Sequence, residues 1–191
     1  SEHLRGDAGT TFELKVLRPS TNKEMKFKIT RRTIQMPAVP YYGLQSNGMG
    51  YINLYSFTEG CSKDVRNAII EMKTQGMKGL VFDLRGNGGG SESEAVNIVN
   101  CFIPNGKLVV SNRGKLKRAN RDYLTTVEPV DTVMPVVVLV NGNSASSSEI
   151  TSGALQDFDR AVIMGTKTYG KGLVQTIIDL PYNGKMKRTT N

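Results

Sequence analysis

Apolar and polar residues alternate through Phe12, Leu14 and Val16, stop at Pro19-Ser20-Thr21-Asn22, and alternate again through Met25, Phe27 and Ile29. A two-residue period broken by turn formers predicts a β-hairpin. Its partner strands are absent upstream, so residues 1 to about 32 read as the tail of a larger module. Pro37-Ala38-Val39-Pro40 then reads as a linker or edge segment. From Tyr51 the pattern becomes strand and helix in alternation. Tyr51 to Phe57 is a predicted strand. Positions 65, 68, 69 and 72 place one apolar face on a helix from Ser62 to Gln75, with Gly76 where a C-cap belongs. Leu80 to Leu84 predicts a short buried strand. Ser91 and Glu94 form a capping-box pair ahead of a second helix, carrying Ala95, Ile98, Val99 and Phe102 and ended by Pro104. Further strands are predicted at Lys107 to Ser111 and Val136 to Val140, the latter too apolar to be half-exposed. A third helix runs from about Ser146 to Gln156, and strands at 161–164 and 173–180 follow. This order specifies an α/β domain.

Composition sets the scale. At 191 residues, 38% hydrophobic and 22% charged, the chain is long enough for one good core or for one domain plus a fragment of another. No apolar run approaches the roughly 20 residues of a membrane span. The opening Ser1-Glu2-His3-Leu4-Arg5-Gly6 has neither an initiator Met nor the layout of a secretory signal, which reads as an excised piece of a longer protein. Cys61 and Cys101 lie in separate predicted helical regions without metal-ligand spacing, and buried free thiols are expected over a disulfide. The net charge of +8 raises nucleic acid as a partner. Its one cluster, Arg113, Lys115, Lys117, Arg118 and Arg121, lacks the interleaved aromatics of a stacking platform and reads as a solvated basic loop, so no nucleic-acid partner is expected.

Two glycine motifs resemble nucleotide sites without matching them. In Arg85-Gly86-Asn87-Gly88-Gly89-Gly90-Ser91 a serine takes the third glycine's place in the dinucleotide pattern, and the acidic residue that should follow is missing. Gly165 to Gly172 has Gly172 where a phosphate-binding loop needs Ser or Thr, and a strand-like segment where it needs a helix. A glycine turn entering a helix can still present backbone N–H groups to an anion or a developing oxyanion, or be no more than a tight turn.

Asn141-Gly142-Asn143-Ser144-Ala145-Ser146-Ser147-Ser148-Glu149 joins a buried strand to a helix. A hydroxyl there can be presented at the sheet end beside free amides, or serve only as an N-cap. A serine nucleophile needs a base, and the sole histidine is His3, near the chain start. The histidine-free solution is a Ser-Lys pair. An ordinary lysine, with a pKa of about 10.4, must come down to roughly 7–8, about 4 kcal/mol, which requires burial away from carboxylates. Lys171 lies in Thr168-Tyr169-Gly170-Lys171-Gly172-Leu173-Val174-Gln175, with no acid between Arg160 and Ile178, and Gln175 can hydrogen-bond an amine without charging it.

Taken together, Gly79-Leu80-Val81-Phe82-Asp83-Leu84-Arg85-Gly86-Asn87-Gly88-Gly89-Gly90, then Asn143 to Ile150 with Gly153-Ala154-Leu155-Gln156-Asp157, then Thr168 to Gly172 with Gln175, resemble the C-terminal processing peptidases (tail-specific proteases, peptidase family S41) in order and spacing. The resemblance implies that Ser146 is the nucleophile, Lys171 the general base and Gln175 its orienting partner. It puts the oxyanion hole at the backbone N–H of Ser147 and that of Gly88 or Gly89. Position 147, commonly alanine in the family, is serine here. The resemblance further implies a crotonase/ClpP-like core of repeated ββα units over 33–191, incomplete at its C-terminal end. Ahead of it, over 1–32, stands a PDZ-domain remnant holding that domain's last helix and final two strands. The implied substrates are proteins and peptides with accessible C-termini, in the bacterial cell envelope or periplasm, with no metal or other cofactor. A non-catalytic protein holding peptide or an apolar ligand on the same fold is the alternative, and a third reading, acyl-CoA chemistry, has no feature that selects it. The piece itself is expected to be inactive if missing segments position substrate.

Overall fold

The computed structural model describes residues 4–34, 36–115, 117 and 120–190. His3 and Arg118 lie outside the described residues. The chain divides into two compact units, Ser1–Met36 and Pro37–Asn191.

In the first unit, β1 (Thr11–Arg18) and β2 (Lys23–Thr30) pair antiparallel around the turn at Pro19 to Asn22, Phe12 opposite Ile29 and Leu14 opposite Phe27. The described residues 4–10 are turns and irregular chain, with no helix among them. The expected closing helix of a PDZ remnant is therefore not found in the described part of 1–32.

The second unit is built on a five-stranded sheet, in spatial order β3 (Tyr41–Leu44), β4 (Met49–Asn53), β5 (Gly79–Asp83), β8 (Val136–Val140) and β9 (Val162–Gly165). The last four run parallel and β3 is an antiparallel edge. Helices α1 (Cys61–Thr74), α2 (Glu92–Val99) and α3 (Ser147–Asp157) connect them. The hairpin of β6 (Leu108–Asn112) and β7 (Arg121–Leu124) is inserted before β8, and that of β10 (Gln175–Asp179) and β11 (Lys185–Thr189) follows β9.

The core lies on one face of the sheet. Ile52, Phe82 and Val138 align across neighbouring strands, as do Leu80 and Val136, and pack with Val65, Ile69, Met72, Ile98, Val99 and Leu155 of the helices. The opposite face, with Tyr51, Val81, Val137 and Leu139, is only half-buried. This corrects the expectation of a fully buried β8. An apolar run marks strands that can be covered on both faces, and in this unit helices cover one.

Several boundaries shift for local reasons. The strand expected to run to Phe57 ends at Asn53, although Phe57 still bridges Gly90. Strands β3, β7 and β11 carry too few alternating residues to be read from sequence. Gly76, at φ 89°, terminates α1 as expected. The Ser91 hydroxyl accepts from the Glu94 N–H at 3.4 Å, but the Glu94 carboxylate does not return to Ser91. It accepts instead from the N–H groups of Gly60 and Ser62, capping α1. Helix α2 stops at Val99, ahead of Pro104. Cys61 and Cys101 are buried free thiols. Burial, with the nearby Glu94 carboxylate, pushes Cys61 up to about 12, and burial pushes Cys101 up to about 11. In the basic loop Arg113 pairs with Asp122, and the Arg121 guanidinium lies 4.8 Å from the Tyr123 ring centre.

Candidate active site

Three loops leave the C-terminal ends of three adjacent parallel strands: 84–90 after β5, 141–146 after β8 and 166–174 after β9. Parallel topology thereby gathers motifs about 60 and 25 residues apart in sequence at one edge, the position where open α/β sheets form their sites.

The serines between β8 and α3 have distinct partners. The Ser144 hydroxyl donates to the Leu84 carbonyl at 2.8 Å, Ser148 to the Asn87 carbonyl at 2.8 Å, and Ser147 to the Gly90 carbonyl at 3.0 Å. The Ala145 N–H donates to the same Asn87 carbonyl. These bonds bind the serine turn to the glycine turn along its length. They also give the serine at position 147 a use, since its hydroxyl holds the turn while its backbone stays where an alanine's would. Ser146 alone of the four takes no part in this seam.

Ser146 is also the residue with unusual backbone. At φ 56° and ψ −115° it lies outside the regions open to residues with a side chain, a strain of order 1–3 kcal/mol that persists only where surroundings over-determine it. A sharp strand-to-helix turn of this kind is how α/β hydrolases lift a serine hydroxyl off the sheet end. Gly89 packs directly against it. A Cβ at Gly89 would lie 2.7 Å from the Ala145 carbonyl oxygen and 2.9 Å from Ser146 Cβ, at φ 97°. Only glycine allows this approach. The Gly89 N–H donates to Asn87 Oδ1 at 2.9 Å. Among the described residues, the N–H groups of Gly88 and Ser147 have no protein partner, and Ser147 opens α3, where the helix dipole adds partial positive charge.

Lys171 is half-buried and belongs to no ion pair among the described residues. Its main chain is held by Glu149, from the first turn of α3. Glu149 Oε1 accepts from the Thr168 hydroxyl at 2.8 Å and the Gly170 N–H at 2.6 Å, while Oε2 accepts from the N–H of Ser146 at 2.7 Å and of Lys171 at 3.0 Å. One carboxylate therefore ties the serine turn to the lysine loop. Burial pushes the Glu149 carboxyl up, but the Thr168 hydroxyl and the three N–H groups outweigh it and hold the group below its ordinary value. The window from Arg160 to Ile178 contains no acid, yet space supplies this one. With two donors on each oxygen, its acceptor capacity is filled by neutral groups. The Tyr169 N–H to Ser144 carbonyl bond, 3.0 Å, adds a second tie. No hydrogen bond joins the Ser146 hydroxyl to the Lys171 amine; such contacts commonly tighten when substrate binds.

Gly88, Ala145, Lys171 and Gln175 share the wall of one cavity of about 640 Å³, with Asn143, Tyr169, Gly170, Gly172 and Leu173. Ser146, the residue after Ala145, is not among those lining residues. At the end of β5, the 3%-exposed Asp83 carboxylate accepts from the Arg85 guanidinium and the Tyr51 hydroxyl. Burial pushes the Asp83 carboxyl up, and these partners more than reverse the effect. The Arg85 charge is thus held beside the glycine turn by a buried partner.

Residues 48–191 match the model of peptidase family S41. The chain belongs to this family. It is 39% identical over 193 residues to the "Carboxy-terminal-processing protease" of Bartonella bacilliformis, covering 99% of this chain and 44% of that protein. To the "Carboxyl-terminal-processing protease" of Synechocystis it is 33% identical, covering 93% and 42%. Among solved structures, a photosystem II D1 C-terminal processing protease superposes with a TM-score of 0.71 at 30% identity, over 97% of this chain and 51% of that one. A putative S41 protease from Bacteroides fragilis shares the fold, with a TM-score of 0.75 at 22% identity. The chain spans less than half the length of these curated relatives, and its mixed α/β fold is that of S41 protease structures.

Within this S41 fold the structure brings Gly88, Lys171 and Gln175 to one cavity, sets Ser146 and Ser147 at the adjoining turn, and turns the Gly89 N–H to Asn87. Two residues escaped the sequence reading. Glu149 stands three after Ser146, the spacing that marked Ser91 and Glu94. Asn87 precedes glycines, the signature of a side chain that closes its own turn.

Proposed function

We propose that the chain is the catalytic core of a serine peptidase of the C-terminal processing type. Ser146 Oγ attacks the scissile carbonyl carbon and its proton passes to the Lys171 amine, which Gln175 orients. The carbonyl oxygen takes up the charge against the N–H groups of Ser147 and of Gly88 or Gly89. The C–N bond then breaks, the leaving amine takes the proton from Lys171, and an acyl-enzyme at Ser146 remains. Water repeats the sequence in the second half-reaction. The observation that carries this reading is the strained Ser146 turn, packed on Gly89 beside two unpartnered amides, with the Lys171 main chain tied to it through Glu149.

Membership of family S41 and likeness to carboxy-terminal-processing proteases support the same reading and favour proteins with accessible C-termini as substrates. They agree with a place in the bacterial cell envelope. We further read 1–32 as part of a PDZ domain and 33–191 as a crotonase/ClpP-like core. The test is Lys171→Ala in the whole protein. Cleavage of an unstructured polypeptide is expected to fall at least about 10³-fold, the scale on which triad members act. Cleavage at the wild-type rate contradicts the proposal and returns the fold to its non-catalytic alternative.

A further inference from the structure

The turn from Asn141 to Ser144, which carries the chain from β8 towards the nucleophile, is fixed from both ends. The Asn141 N–H donates to Ser144 Oγ at 3.0 Å, and the Ser144 N–H returns to the Asn141 carbonyl at 2.8 Å. Asn141 Oδ1 accepts from the N–H groups of Gly86 and Asn143, both at 3.0 Å. The Ser144 hydroxyl donates to the Leu84 carbonyl, and the Ser144 carbonyl accepts from the Tyr169 N–H. Asn143 stands in this turn, and the fold makes no use of its side chain. An asparagine in a turn ordinarily supplies a positive φ or closes the turn by bonding the N–H two residues on. Asn143 does neither. Its φ is not positive, and the Ala145 N–H goes to the Asn87 carbonyl. Among the described residues its side-chain amide has no hydrogen-bond partner, and the residue is exposed.

The same residue belongs to the wall of the cavity that holds Lys171, together with Gly88, Ala145 and Tyr169. From this we infer that Asn143 is a substrate-binding residue that grips the peptide main chain beside the scissile bond. A carboxamide carries one acceptor and two donors, and an extended polypeptide offers an N–H and a C=O to match them whatever its side chains are. Among the described residues, Gln175 is the only other carboxamide in this wall. In the proposed mechanism it orients Lys171, which leaves Asn143 for the substrate. No carboxylate is among the lining residues, so a peptide group entering here meets no competing anion. Because the turn is already fixed in the free protein, the contact orders little main chain when it forms. A grip on the main chain is made alike to bound substrate and to the transition state, so its signature belongs in KM. The inference rests on the peptidase reading and deepens it, since it makes backbone rather than side chain the feature recognised at this point.

The test compares wild type, Asn143→Ala and Asn143→Ser in the whole protein, by steady-state cleavage of an unstructured peptide and by urea unfolding. Serine is shorter and lacks the paired donor and acceptor of the amide. A parallel set of peptides carries a backbone ester in place of one amide at each position flanking, but not at, the scissile bond. Each ester removes one N–H and weakens one carbonyl as an acceptor. In both variants KM is expected to rise by about 3–10-fold with kcat within about twofold of wild type. The urea midpoint is expected to stay at the wild-type value, because the side chain bonds nothing in the free protein. At least one ester is expected to raise the wild-type KM by a similar factor and that of Asn143→Ala by less than about twofold, the mark of a shared contact. If KM holds in both variants, or if every ester keeps its full effect when Asn143 is alanine, the side chain does not touch the peptide and the inference is overturned. A kcat that falls further than KM rises, or a lower urea midpoint, assigns the residue to the serine turn and overturns it equally. Should one variant fail to fold, the other decides by the same measures; failure of both makes the side chain structural and overturns the inference as well. A wild type that cleaves none of these peptides overturns the peptidase reading and this inference with it, whereas an active wild type matched in KM by Asn143→Ala overturns this inference alone.

Discussion

Replacing Glu149 by alanine removes the acceptor of four donors, two on the serine turn and lysine side through Oε2 and two on the lysine loop through Oε1. A hydrogen bond to a charged group contributes about 1.5–3 kcal/mol, but the four are not additive. Gly170 is exposed and Thr168 half-buried, so water replaces part of what they lose. A net cost of roughly 2–4 kcal/mol follows. The functional effect is larger, because the strained Ser146 and the Lys171 loop lose their common anchor. A displacement near 1 Å costs about 10²-fold in rate, so kcat is expected to fall by that order. Glu149→Gln separates geometry from charge. Its oxygen can keep the N–H groups of Ser146 and Lys171, and its NH₂ can face Thr168, whose hydroxyl reverses to accept, leaving only the Gly170 N–H opposed. Its kcat is expected within about tenfold of wild type. The assay is initial-rate cleavage of an unstructured substrate, with urea unfolding of each variant. An alanine variant that folds and keeps kcat refutes the reasoning, as does a glutamine variant equal to alanine. The pH dependence has a definite sign. A carboxyl held below its ordinary value stabilises fully above that value and loses the contribution as pH falls through the folded pKa. The tie therefore survives mild acidification and fails below the usual carboxylate range.

Asp131, which accepts from Lys73 at 2.5 Å and from the N–H groups of Val133 and Met134, is pushed up by burial but brought down by these donors to about 2. Asp131→Asn is expected to cost roughly 1–3 kcal/mol at neutral pH by urea unfolding; the difference from wild type should shrink as pH falls from the ordinary Asp value towards 2. Gly89→Ala must fit a methyl group 2.7 Å from the Ala145 carbonyl oxygen at positive φ, so cleavage should fall by about 10²-fold or more, and a variant of wild-type rate contradicts the packing described. Cys61 and Cys101, buried and pushed up to about 12 and about 11, should not react with a thiol-disulfide reagent until the protein unfolds.

The sequence was most legible where a period or a cap governs local structure. Hairpin β1–β2, helices α1 and α3 and strands β5 and β8 follow from spacing alone. The edge strand β3 and the hairpin strands β7 and β11 did not, because four or five exposed residues carry little alternation and take their conformation from a neighbour. Glu94 shows a second limit: a motif read along the chain assigned its carboxylate to its own helix, and packing gave it to another. Ser146 was legible as a serine at a strand-to-helix junction, while the reason it differs from Ser144, Ser147 and Ser148 is spatial, since their partners lie about 57–61 residues away. Glu149 marks the same boundary for Lys171. A window free of acids in sequence has a carboxylate in space, and only the bonding of its two oxygens explains why it holds the lysine main chain without pairing with the lysine charge.

The central claim is that Ser146 is a nucleophile activated by Lys171, and the most direct measurement is covalent labelling of the whole protein with a serine-reactive peptidyl phosphonate, followed by intact mass and peptide mapping. A single adduct at Ser146 is predicted, absent in Ser146→Ala and formed at least about 10²-fold more slowly in Lys171→Ala. Labelling at another serine, or at Ser146 with the same rate when Lys171 is gone, would contradict it.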